Sequence, residues 1–217
     1  IQTLIPMAFN WQTFRTRALT AAVFVVVMLA ALLWNRWSFF ILFSIIHFGA
    51  WNEFQKLVAK FNTDYRSIKM FHRFVIMLAG WCIVLFFTNY ELKIFGRALT
   101  DIGFWCGAVF LVLIPLVILM ESKQFFFKNI SFSILGVLYI SLPLGLLVEL
   151  RMHWNEALYQ LSLTIPLLII FSLWINDTMA YIVGSLTGKT PLSSISPKKT
   201  WEGTVGGVIL TIIVISL

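Results

Sequence analysis

Seven apolar segments, several of them close to bilayer-spanning length, govern what this chain can become. They lie at about residues 18–34, 37–54, 72–89, 102–120, 130–148, 161–184 and from 204 onward. A transmembrane helix needs about twenty predominantly apolar residues. Only 12% of the 217 residues are charged and 60% are hydrophobic, whereas a soluble domain carries about 25% charged residues. The expectation is an all-α polytopic integral membrane protein of about seven apolar helices, forming a single transmembrane domain over residues 1–217. Residues 1–14, with Trp11 and Phe14, read as an interfacial lead-in, and 185–203 as a polar loop.

The first two segments are short and separated only by Asn35-Arg36, which suggests a hairpin of tilted or partly re-entrant helices. Pro115, Pro143 and Pro166 fall inside spans and read as kinks that neighbouring helices accommodate. Cys82 and Cys106 lie in or near apolar segments without a partner motif, so they read as buried small hydrophobes. No internal repeat is visible, which weakens a transporter built from inverted repeats. No cleavable signal peptide is read, because the first apolar run follows Arg15 and Arg17 without a small-residue cleavage pattern. The chain begins with Ile1, and Leu217 falls inside an apolar run that leaves about fourteen residues for a helix needing about twenty. The expectation is that the protein continues beyond it.

Basic residues in the connections set an orientation. One side holds Arg15, Arg17, Lys56, Lys60, Arg66, Lys69, Arg73, Lys123, Lys128, Lys189, Lys198 and Lys199. The other holds Arg36, Lys93, Arg97 and Arg151. Twelve against four assigns the first side, with the amino terminus and the 185–203 loop, to the cytoplasm. A bacterial inner membrane suits this pattern best, with the endoplasmic reticulum as the alternative. The net charge of +7 suits contact with anionic lipid or phosphate.

Chemistry concentrates between Ile175 and Gly207. Asp177 interrupts a membrane helix, about 10 Å below its end if that end is near Gly184. A carboxylate at such depth usually faces a wet cavity, a partner or an ion. It is either an interhelical anchor or a catalytic or metal-linked group, with Tyr181 one turn on and Asn176 and Thr178 flanking it. Gly184–Ile195 reads as a loop. Ser196-Pro197 reads as an N-cap followed by proline at the first helical position. That reading puts Lys198 and Lys199 in a helical first turn, where the dipole prefers acids. A bound phosphate resolves the conflict; a basic loop resting on anionic headgroups is the competing account. Trp201 is an interface anchor or a stacking surface, and Glu202 either orients the lysines or helps hold a cation. Gly203, Gly206 and Gly207 form a small-residue face for close helix contact.

The ordered run Asp177-Thr178-Met179-Ala180-Tyr181, Val183-Gly184, Gly188-Lys189 and Ile195 through Gly203 resembles the phosphatidate cytidylyltransferases, or CDP-diacylglycerol synthases. Their pattern is close to D-T-[G/A]-A-Y-x-x-G, then G-K, then S-P-K-K-T followed by E-G. Glu53-Phe54 is similar to the family's early E-F element. Met179 departs from it, since glycine is frequent there. The family's downstream signature has a K-R pair, a K-D pair, a P-G-H-G-G turn and a D-R-x-D ending that supplies metal-binding aspartates. It does not occur before Leu217, so no activity is expected of this stretch alone.

The resemblance implies the reaction of CTP with phosphatidate to give CDP-diacylglycerol and pyrophosphate, with Mg²⁺. It implies catalytic roles for Asp177, Lys198 and Lys199, and Asp177 as the metal-linked residue. Ser196, Thr200, Lys189, Tyr181, Asn176 and Glu202 are the expected substrate-binding residues. CTP, phosphatidate and membrane lipids are the expected partners; nucleic acid is not, and a homodimer is compatible with the reading. A transporter of an anionic substrate, or a lipid-binding assembly subunit with a basic loop, are the alternatives.

Overall fold

A computed structural model describes residues 11–121, 126–152, 159–193, 196 and 198–216. The expected lead-in at 1–14 therefore lies mostly outside the described residues, and its last four residues are part of helix α1 (Trp11–Trp34). Helix α2 (Arg36–Phe61) follows after Asn35 alone. The break is sharp because Asn35 and Ser38 form a reciprocal capping box, with Asn35 Oδ1 accepting from the Ser38 N–H at 2.8 Å. With 24 and 26 residues, these helices are longer than the short hairpin expected from the apolar runs.

The chain divides into two compact units, residues 1–149 and 150–217. In the first, α2 buries Phe39, Phe43, His47, Trp51, Gln55 and Val58, a row at three- and four-residue spacing that lies on one helix face. After the single turn α3 (Thr63–Arg66), the chain enters α4 (Met70–Phe86). Helix α5 (Leu99–Glu121) packs on α4 through Gly103, where a Cβ would lie 2.5 Å from the Phe86 nitrogen. Helix α6 (Phe126–Gly136), a π turn (Val137–Ser141) and α7 (Leu142–Met152) run on as one rod. The π turn lies just ahead of Pro143, which has no N–H to give and whose ring crowds the preceding turn. Ser141 Oγ meets both His47 Nε2 (3.0 Å) and Trp51 Nε1 (2.9 Å), so the turn directs a hydroxyl at the polar atoms of the α2 core.

Between α4 and α5 lies a small antiparallel hairpin, β1 (Lys93–Ile94) and β2 (Arg97–Ala98). Phe95 and Gly96 carry positive φ at its tip, the backbone that a tight two-residue hairpin demands. The all-α expectation omits this element.

Among the described residues, three helices are long and apolar enough to cross a bilayer: Leu99–Val117, Ile130–Met152 and Tyr159–Thr187. Ala22–Trp34, Met70–Phe86 and Trp201–Ser216 are apolar but shorter. Seven spans are therefore not established, and α2 shows why, since Glu53, Gln55, Lys56 and Lys60 fall within it. Large apolar side chains on the long helices, such as Leu111 and Leu173, are mostly exposed, as lipid contact requires. This is a helical membrane protein. Cys82 is buried as expected, but Cys106 is exposed.

Candidate active site at the α8–α9 hairpin

The second unit is dominated by α8 (Tyr159–Thr187) and α9 (Trp201–Ser216). Helix α8 tolerates six hydroxyl residues because each bonds to a carbonyl three or four positions back. Ser162, Thr164, Ser172, Thr178, Ser185 and Thr187 donate to Tyr159, Gln160, Ile169, Trp174, Ile182 and Val183 at 2.7–2.9 Å. Asp177 differs from all of them. Its carboxylate has no hydrogen bond or ion pair among the described residues, and the residue is exposed. Because α8 runs on to Thr187, Asp177 lies about 15 Å from the helix end rather than 10 Å.

Glycine brings the two helices together. A Cβ on Gly203 would lie 2.6 Å from the Ala180 carbonyl oxygen, and one on Gly207 would lie 2.8 Å from the Ala180 Cβ and 3.0 Å from the Asn176 carbonyl oxygen. Asn176, Ala180 and Gly184 thus form the α8 row against α9. Asp177, Tyr181 and Ser185 form the next row, at the rim of the contact.

The connecting segment folds back on itself. Pro191 pairs with Thr200, the Leu192 N–H donates to the Lys199 carbonyl (2.7 Å) and the Trp201 N–H to the Thr190 carbonyl (3.0 Å). Glu202 closes the base of the loop. Its carboxylate accepts from the Lys189 and Thr190 N–H groups at 3.2 Å and from the Thr190 hydroxyl at 2.8 Å. Its own backbone N–H and the Thr190 bonds hold its pKa down at about 2.

Ser196 is not the cap of α9; Pro197, the other half of that expectation, lies outside the described residues. Thr200 is the cap, since its Oγ1 accepts from the Gly203 N–H at 3.2 Å. Lys198 and Lys199 therefore precede the helix, and the first turn carries the acid Glu202, in accord with the dipole. The conflict that called for a phosphate at the first turn disappears. The Trp201 and Gly203 N–H groups are already bonded within the protein.

The lysines instead face α8. Asp177, Tyr181, Asn176, Lys198, Lys199 and Thr200 line one cleft of about 340 Å³, together with Ala180, Gly184, Ser185, Leu192 and Thr204. Among the described residues, no lysine nitrogen approaches the Asp177 carboxylate within 4.0 Å, so the opposed charges share a space without an ion pair. Ser196, Lys189 and Glu202 are not among the lining residues. Thr204 went unnoticed in the sequence because it opens an apolar run; its place one turn after Thr200 was the available sign.

Among the described residues no three His, Cys, Asp or Glu side chains gather as a metal cage. Mg²⁺ does not need one, since it commonly uses one or two carboxylates and takes its remaining ligands from substrate phosphates and water. The unpaired Asp177 carboxylate fits that mode.

The cleft thus sets the Lys198 and Lys199 ammonium groups and the Asp177 carboxylate around one space, none of them paired among the described residues. The sequence profile of the cytidylyltransferase family matches residues 15–217. The chain belongs to that family. It is 53% identical over 51 residues to the phosphatidate cytidylyltransferase of Aquifex aeolicus, covering 23% of this chain and 20% of that protein. With the Staphylococcus saprophyticus phosphatidate cytidylyltransferase it shares 35% identity over 96 residues, 44% of this chain and 34% of the relative. With phosphatidate cytidylyltransferase 4, chloroplastic, of Arabidopsis thaliana it shares 31% over 121 residues, 48% and 30% respectively. The chain thus spans between a fifth and about a third of the length of these relatives. No solved structure matches it.

Proposed function

We propose that the full-length protein transfers a cytidylyl group from CTP to phosphatidate, releasing pyrophosphate and CDP-diacylglycerol for phospholipid synthesis. The observation that carries this reading is the shared cleft of Asp177, Lys198 and Lys199, in a chain of the cytidylyltransferase family. A phosphate oxygen of phosphatidate attacks the α-phosphorus of CTP, the bond from that phosphorus to the β-phosphate oxygen breaks, and pyrophosphate leaves with the electron pair. Such a transfer relies on positioning and charge neutralisation more than on a protein nucleophile. Lys198 and Lys199 hold phosphate oxygens of the two substrates. Thr200 and Tyr181 offer hydroxyls from the cleft wall, and Asn176 an amide. Lys189 and Ser196, just outside the wall, extend the basic and polar mouth, and Glu202 fixes the loop that carries the lysines. Asp177 would hold Mg²⁺ directly or through water, and an ion held there would supply positive charge to offset the negative charge developing on the departing pyrophosphate.

The positive-inside bias assigns the loop to the cytoplasm, where CTP is found. The reading is tested by supplying purified full-length protein with phosphatidate, CTP and Mg²⁺ and identifying both products. CDP-diacylglycerol and pyrophosphate in equal amounts support it; neither product from correctly folded protein refutes it.

A further inference from the structure

The first unit contains a second basic site, built from residues that the α8–α9 cleft does not use. At the elbow where α2 passes through α3 into α4, a cavity of about 680 Å³ is lined by Lys56, Lys60, Arg66 and Arg73 with one carboxylate, Glu53. Glu53 is paired with Lys56 at 2.8 Å. Arg73 is committed to structure, donating to the Tyr65 and Arg66 carbonyls at 3.0 Å each and lying over the Tyr65 ring. Lys60 and Arg66 remain, two cations whose side chains have no hydrogen bond or ion pair among the described residues.

Arg66 and Arg73 also belong to the wall of a neighbouring groove of about 540 Å³. Its other walls include Phe48, Ile68, Met70, Phe74 and Met77. The cationic and apolar halves thus meet at the same two arginines. Met70 is 86% exposed and Phe74 52%, so the apolar half opens outward.

We infer that this elbow binds an anionic glycerophospholipid, its phosphate between Lys60 and Arg66 and its upper acyl chain along Phe74, Met70 and Met77. Charge complementarity argues for the phosphate, since four cations face a single carboxylate that is already paired. The adjoining apolar groove argues for a lipid over a soluble anion, which would cover the charges and leave the groove bare. Basic residues near a bilayer are attracted to anionic leaflets, and the guanidinium fork suits phosphate oxygens.

The test uses full-length protein in nanodiscs with photoreactive analogues of phosphatidylglycerol and phosphatidylcholine, each carrying the reactive group in the acyl chain. Phosphatidylglycerol is not a substrate of the proposed reaction, so failure here leaves that reading intact. The expected result is labelling of the Met70–Met77 segment by the anionic analogue about tenfold above the neutral one. Lys60→Gln with Arg66→Gln brings the labelling down to the neutral level at an unchanged unfolding temperature, and millimolar inorganic phosphate leaves it in place. Equal labelling of the wild type by both analogues overturns the inference, whether or not the variant folds. So does a folded double variant that keeps the preference. Displacement by inorganic phosphate assigns the site to a soluble anion instead.

Discussion

Glu202 reaches back across the loop to Thr190, accepting hydrogen bonds from its hydroxyl at 2.8 Å and from its backbone N–H at 3.2 Å. This contact, together with the Trp201–Thr190 backbone bond, holds the two ends of the connecting segment side by side. Lys198 and Lys199 are thereby held at the cleft mouth.

The pH dependence of this clamp has a definite sign. A folded pKa of about 2 against an ordinary value of 4.5 means that the charged form is the bonded one. Its contribution to loop stability is complete above pH 4.5, declines below it, and is gone once the pH has fallen through about 2. Amide hydrogen exchange at Thr190, corrected for intrinsic rates, should show protection persisting at pH 3.5 (about one unit below the ordinary value). Glu202→Gln should weaken that protection at neutral pH. Loss of protection in the wild type already by pH 4.5 contradicts the clamp.

Gly207 leaves no room for a side chain, because its Cβ would collide with Ala180 and the Asn176 carbonyl. Gly207→Val should destabilise the α8–α9 hairpin by about 1–3 kcal/mol, seen as a lower unfolding temperature in detergent. Gly49, in α2, has nothing within 4 Å of its Cβ position, so Gly49→Ala should be neutral or stabilising by up to about 1 kcal/mol. Equal effects at the two glycines contradict close helix contact as the reason for Gly207.

Lys198→Ala should raise the concentration of CTP or phosphatidate needed for half-maximal turnover by about tenfold, in line with the loss of a charge-assisted hydrogen bond. Steady-state kinetics with each substrate varied in turn check this. An unchanged requirement for both substrates points to a loop that only rests on headgroups.

The membrane-helical character of the chain and the close glycine face between α8 and α9 were legible in the sequence. Helix ends were not, and Asp177 lies farther from the end of α8 than expected because the helix continues through Gly184 to Thr187. Ser196-Pro197 and Thr200-x-Glu202 are both reasonable helix starts by local rules. Tertiary bonds from Thr190 to Trp201 and Glu202 favour the second, and no local pattern contains them. The hairpin at Lys93–Ala98 was hidden for a related reason, since strands of two residues are too short for alternation to register. Glu53 attracted notice for its family element, but the basic elbow around it is assembled from residues up to Arg73, which only the turn at α3 brings together.

The most direct test of the central claim compares pyrophosphate release by full-length wild type and Asp177→Asn, with CTP, phosphatidate and Mg²⁺ in detergent. The substitution keeps the shape of the side chain and removes the carboxylate charge of Asp177, the one acid among the described residues that line the cleft. Turnover should fall by about a hundredfold or more, with expression and unfolding temperature nearly unchanged. Activity within about twofold of wild type, less than the roughly 0.5 kcal/mol expected of an incidental surface change, would mean that Asp177 and the two lysines do not work as one anion-handling site.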